Sequence, residues 1–158
     1  MTFKTVLTAT IVLAATGAHA ETMMTKGKGM GQAETQIMQM GEDHMIMHTN
    51  TAYSTYEMDS ADDPMQGMSG PCFGAMEVMA GKVSGSGYCA FTHQNGDMAS
   101  IHWSATGMSP EGAVTGEWHV TGGTGKWMGA TGGGTFSSMT DQATGMSENT
   151  VEGEVTLN

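Results

Sequence analysis

Residues 88–103 read Tyr-Cys-Ala-Phe-Thr-His-Gln-Asn-Gly-Asp-Met-Ala-Ser-Ile-His-Trp, two β-favouring runs around Asn95-Gly96. Asn-Gly is the strongest two-residue hairpin signal, because a type I′ turn needs positive φ at both central residues. A hairpin centred there pairs Gln94 with Asp97, His93 with Met98, Cys89 with His102 and Tyr88 with Trp103. One face then presents Tyr88, Ala90, Thr92, Ala99, Ile101 and Trp103. The other presents Cys89, Phe91, His93, Met98, Ser100 and His102. The first is the expected core face. The next run repeats the alternation, with Trp118 and Val120 on one side and Glu117 and His119 on the other.

Working outward, similar runs recur at 34–40, 45–58, 73–80, 83–93, 98–106, 113–121, 130–138 and 147–157, separated by turn residues. The chain has 158 residues and 24 glycines. Beyond the leader its one leucine is Leu157, so long amphipathic helices are not expected. Eight short strands at this spacing predict an all-β barrel or sandwich in one domain. Residues 59–71 contain Pro, Gly and three acids and read as a long loop. Residues 21–33, with Lys26-Gly27-Lys28-Gly29 at their centre, read as a flexible lead-in to a domain spanning 34–158.

Residues 1–20 have the form of a signal peptide. Lys4 supplies the positive end, 5–16 the apolar run, and Ala18-His19-Ala20 a small-x-small cleavage site. The expected destination is the periplasm or the exterior, as a soluble protein. Five lysines and no arginine stand against 16 acids, a formal net charge of −11. No basic patch is available to neutralise phosphates, which argues against nucleic-acid binding. After residue 20 no apolar run approaches the roughly 20 residues of a membrane-spanning helix.

The run Thr121-Gly122-Gly123-Thr124-Gly125-Lys126-Trp127-Met128-Gly129-Ala130-Thr131-Gly132 resembles the glycine-rich hairpin of the allene oxide cyclase and dirigent barrels. Trp127 stands at the aromatic position, and Gly132-Gly133-Gly134 opens the next strand. The resemblance implies a small eight-stranded antiparallel β-barrel, often a homotrimer, with an apolar cavity that steers a reactive small molecule. The motif is scaffold and carries over no catalytic residue. No acid here matches the families' functional carboxylates.

Cys72 and Cys89 are the two cysteines, and in an oxidising compartment they are expected to form one disulfide. A two-residue turn at Gly81-Lys82 sets Cys72 opposite Phe91 and Cys89 opposite Gly74, on one face but diagonal. Methionine is the outlier of the composition, with 18 residues. Much of it substitutes for leucine as a flexible hydrophobe. With a loop at 41–44, however, Met38, Met40, Met45 and Met47 share one hairpin face, with His44 at its end. Thioethers select Cu(I), and imidazole adds affinity for Cu(II) or Zn(II). Copper is therefore the candidate cofactor. His102 and His119 lie on equivalent faces of successive strands, as potential neighbours.

No nucleophile elbow, phosphate loop or dinucleotide fingerprint is present. Asp62-Asp63 falls in a loop, and Glu152 and Glu154 alternate onto one strand face. The leading expectation is a non-enzymatic barrel that binds a small apolar or aromatic ligand, with Tyr88, Trp103 and Trp118 lining its interior. The alternatives are a periplasmic copper protein using the Met/His hairpin, and an isomerase or cyclase of the allene oxide cyclase type.

Overall fold

A computed structural model describes residues 20–158, so the signal peptide expected at 1–20 lies, but for Ala20, outside the described residues. Eight strands run in order: β1 Glu21–Gly41, β2 His44–Met58, β3 Gly70–Met79, β4 Lys82–Thr92, β5 Met98–Met108, β6 Val114–Gly123, β7 Thr131–Thr140 and β8 Met146–Leu157. Each pairs antiparallel with its neighbours, and β8 closes onto β1, giving a closed barrel. This is the eight-stranded barrel the glycine-rich motif implies. The seven-residue β6–β7 connection, 124–130, contains a 3₁₀ turn, Gly125–Trp127, whose Trp127 is fully buried.

The segment 21–33 is not a flexible lead-in; it is the first half of β1, paired with β8 from Glu21 to Gln32. Its alternation escapes a hydrophobicity reading because its buried positions are Thr25, Gly27, Gly29 and Ala33, none of them a large apolar residue. Gly27 and Gly29 face the core, and a Cβ on Gly29 would come within 2.5 Å of the Tyr56 ring. Lys26 and Lys28, which alternate with them, point outward, where Lys26 pairs with Glu152 and Lys28 with Glu148. Glycine thus serves here for close approach of backbone to an aromatic ring.

Three hairpin registers differ from expectation by one step in the turn. At β4–β5 the pairs are Thr92↔Met98, Cys89↔Ile101, Tyr88↔His102 and Gly87↔Trp103. The N–H of His93 donates to the Asp97 carbonyl, that of Gly96 to the His93 carbonyl, and Gly96 sits at φ 89°. This is a three-residue loop in which glycine alone takes positive φ, not a two-residue type I′ turn. At β3–β4, Ala80 (φ 50°) and Gly81 (φ 75°) form the turn, and Cys72 directly opposes Cys89. At β1–β2, Gly41 pairs with His44, and a bulge at Met40 moves the register so that Ile37 meets Met47 and Met38 meets Ile46.

Alternate turns of an up-and-down barrel fall at alternate ends, and the two ends here differ. One is stoppered by the β2–β3 connection, residues 59–69, in which Pro64, Met65 and Met68 are fully or almost fully buried. Asp63 anchors this plug from within, accepting bonds from Thr25 Oγ1 at 2.8 Å, Met65 N at 2.8 Å and Lys26 N at 3.3 Å. The Lys126 ammonium donates to the Pro64 carbonyl at 3.2 Å. The expected long loop is therefore a packed element of the core.

Candidate functional site: a blind cavity in the barrel

Above the plug the interior is not filled. A cavity of about 190 Å³ extends toward the other end of the barrel. Volumes near 150 Å³ accommodate a benzene-sized guest when the lining is apolar. Tyr56, Met65 and Phe91 lie at its plugged end. Met47, Met76, Met108, Gly112 and Gln142 carry the lining out toward the opposite hairpin turns.

Aromatic side chains set the walls. Tyr53, Tyr56 and Phe91 form a cluster with ring centroids 5.3, 5.0 and 6.1 Å apart, each pair tilted or edge-on. Such arrangements suit the ring quadrupoles. Trp103 meets Phe136 edge-on at 6.3 Å. It lies over Gly74 and Gly87, where any Cβ would collide with its ring. Trp118 is buried, and its indole N–H donates to the Thr135 carbonyl at 3.1 Å. The Cys72–Cys89 bridge forms part of the same wall.

Polar groups converge on one side. The Asn149 amide donates to the Tyr56 hydroxyl at 2.8 Å, while its Oδ1 is buried without a partner. Thr49, Thr51, Ser138 and Thr140 add hydroxyls to the lining. Burial pushes the Tyr53 phenol above its usual 10.0, partly offset by hydrogen bonds with Ser138 and Ser147. It pushes Tyr56 much further up, with Tyr53 adding to the effect and Asn149 opposing it. Both phenols are therefore neutral at physiological pH. Among the described residues, no Asp, Glu, Lys or His lines the cavity.

Among the residues expected to line the interior, Trp103 and Trp118 do so and Tyr88 does not. The one-step register difference keeps Ala99, Ile101 and Trp103 inside, as expected, but turns β4 over. Cys89 and Phe91 face the core, while Tyr88 is 48% exposed on the outer wall, edge-on to His102 at 4.9 Å.

The methionine hairpin is corrected in the same way. Met45 and Met47 fall on the inner face, where Met47 opposes Met76 of β3. Met38 pairs with Ile46 on the outer face and is half exposed, and Met40 is displaced by the bulge. The four thioethers do not share a face. His44 Nε2 lies 2.7 Å from Glu77 Oε1, an ion-pair geometry on the outer wall.

Several lining residues have no counterpart in the sequence reading: Tyr53, Tyr56, Phe91, Phe136, Met76 and Asn149. The period-two pattern Thr49, Thr51, Tyr53 was available to mark an inward face, but the bulge between Met30 and Gly31 breaks it before Tyr56.

No family model matches the chain, and no curated protein matches it. Among solved structures it is similar to the pterocarpan synthase dirigent protein GePTS1, with a TM-score of 0.54 at 14% identity over 95% of this chain and 97% of that one. The likeness defines the fold class: a dirigent-type closed β-barrel.

Proposed function

We propose that this chain is an exported barrel that binds a small, uncharged apolar or aromatic molecule non-covalently and does not transform it. The observation that carries the reading is the cavity, blind at one end and walled by aromatic and thioether groups with a few hydroxyls and one amide on one side. Ligand sites characteristically combine an apolar lining with a small number of placed polar groups. Trp103 and Trp118 are the residues we assign to ligand contact.

Uncharged lining supports the exclusion of anionic ligands, which would enter without a counter-charge. Among the described residues the same lining offers two phenols held protonated and no carboxylate or imidazole to move a proton, which favours binding over general acid–base turnover. The disulfide fits an oxidising compartment outside the cytoplasm. The similar dirigent barrel is described as a pterocarpan synthase, and a cyclase activity remains the alternative outcome of a turnover assay.

Iodobenzene tests the reading, since it matches the cavity in size and its heavy atom quenches indole emission. Saturable quenching, diminished in a Trp103→Phe variant and abolished by filling the cavity with Thr49→Trp, is the expected result. A calorimetric titration should show a negative heat-capacity change. Linear, non-saturable quenching equal in the filled variant overturns the reading.

A further inference from the structure

The outer wall holds a second arrangement, independent of the cavity. Phe73, Tyr88, His102 and His119 are successive cross-strand partners over β3, β4, β5 and β6. His102 and His119 oppose each other directly, with ring centroids 4.8 Å apart and planes inclined by 44°. Tyr88 walls the pair on the β4 side. On the β7 side the partner of His119 is Gly133, which contributes no side chain.

The two rings are also chemically unengaged. His44 is held by Glu77 and His93 by Asn95. Among the described residues, no hydrogen bond engages the His102 or His119 ring, and Nδ1 of His102 is covered without any partner. A histidine kept for packing or a structural hydrogen bond commits a ring nitrogen to a protein group. These two leave their lone pairs without a competing hydrogen bond.

The local charge favours a cation. Glu117 precedes His119 by two residues on the same face, and Glu154 lies beyond Gly133 on β8. Neither joins the imidazoles within ligating reach, since the described residues hold no cluster of three such groups. The carboxylates act through their field, raising the local cation concentration on a chain already at −11.

We propose that His102 and His119 form a two-imidazole site for a divalent transition-metal ion on the outer wall, with water in the remaining coordination positions. Metal–nitrogen bonds of about 2.0–2.1 Å require the ring nitrogens to approach one ion, which side-chain rotation allows from opposed backbone positions. Paired strands fix the separation of the two donors before the ion arrives, so little ordering is left to binding. Nitrogen donors and the general order of divalent affinities select Cu²⁺ over Zn²⁺ and Ni²⁺. The site differs in metal chemistry and location from a thioether site for Cu(I). Open water positions make its ion exchangeable.

Titration of the oxidised protein with CuCl₂ in a non-chelating buffer, followed by electron paramagnetic resonance and calorimetry, tests the assignment. We expect one site with two coordinated nitrogens. His119→Gln and His102→Gln should each weaken it at least tenfold and remove the two-nitrogen signature. A triple variant His44→Gln, His48→Gln, His93→Gln should leave it intact. Near-UV circular dichroism reports folding, and the exposed His119 alone decides the matter if the His102 variant misfolds. Unchanged copper binding in His119→Gln, a signature that follows His44 or His48, or no stoichiometric binding by the unaltered protein overturns the proposal.

Discussion

Thr25 Oγ1 sits 2.8 Å from both carboxylate oxygens of Asp63, tying the interior of β1 to the plug that closes the barrel. Asp63 also receives two backbone N–H groups, from Lys26 and Met65. Replacing it with alanine leaves a buried hydroxyl and these donors unmatched. We expect Asp63→Ala to lower the unfolding free energy by about 3 kcal/mol, given roughly 1–3 kcal/mol for each buried group left unpaired. The exposed neighbour Asp62→Ala should stay within about 0.5 kcal/mol. Urea unfolding midpoints of the two variants provide the comparison.

Reduction of the Cys72–Cys89 bridge releases a loop of sequence separation 17. The chain-entropy account assigns about 3 kcal/mol to such a loop. Cys72→Ser/Cys89→Ser should therefore lose about that much stability, read as a shift in urea midpoint relative to the oxidised protein. Adding reductant should change the unaltered protein and leave the double variant unmoved.

Alkali should separate the buried phenols from ordinary ones. Burial raises Tyr53 and Tyr56 above the reference of 10.0. The unfolded chain therefore ionises them at lower pH than the folded one does. Their contribution to stability is complete below about pH 10 and declines as pH rises through the folded values. Tyr56→Phe, which removes the more strongly shifted phenol, should make stability fall less steeply with pH above about pH 10, on top of a pH-independent loss from the Asn149 amide left without its acceptor. Phenolate absorbance at 295 nm and far-UV circular dichroism, recorded together, test this: the buried phenols should ionise only as the barrel opens.

Gly29→Ala places a methyl against the Tyr56 ring, within the 2.5 Å approach found there. Overpacking of this kind destabilises by about 1–3 kcal/mol. Lys28→Ala, one residue away and outward, removes only the exposed pair with Glu148, worth at most about 1 kcal/mol. A thermal midpoint lowered further in the glycine variant than in the lysine variant is the expected result.

The strands were legible in the sequence and the faces only partly so. Alternation and turn residues locate eight strands, because a strand's existence depends on local composition, but they miss the first half of β1, read as a lead-in at 21–33. Which side faces inward depends on the pairing, and with a period of two a single-residue slip exchanges the sides. Asn95-Gly96 illustrates the difficulty: the same dipeptide serves a two-residue turn or the end of a three-residue one, and Tyr88 moves from inside to outside accordingly. The β3–β4 turn held its own answer, since only Ala80-Gly81 makes Cys72 and Cys89 direct partners. The plug at 59–69 gave no signal. Its polar composition conceals Pro64, Met65 and Met68, which are buried by their position over the barrel end rather than by any periodicity.

β1 outlasts its neighbour β8. Their pairing ends at Gln32 and Met146, with one further bond from Ala33 N to the Gly145 carbonyl, whereas β1 continues to Gly41 against β2 alone. A closed cylinder has no margin at which another chain can join, but from Glu34 onward this one does. At high protein concentration the first intermolecular contacts should therefore form as a seam along that margin, beside the cavity's entrance, and crowding of molecules would close off the interior as it proceeded.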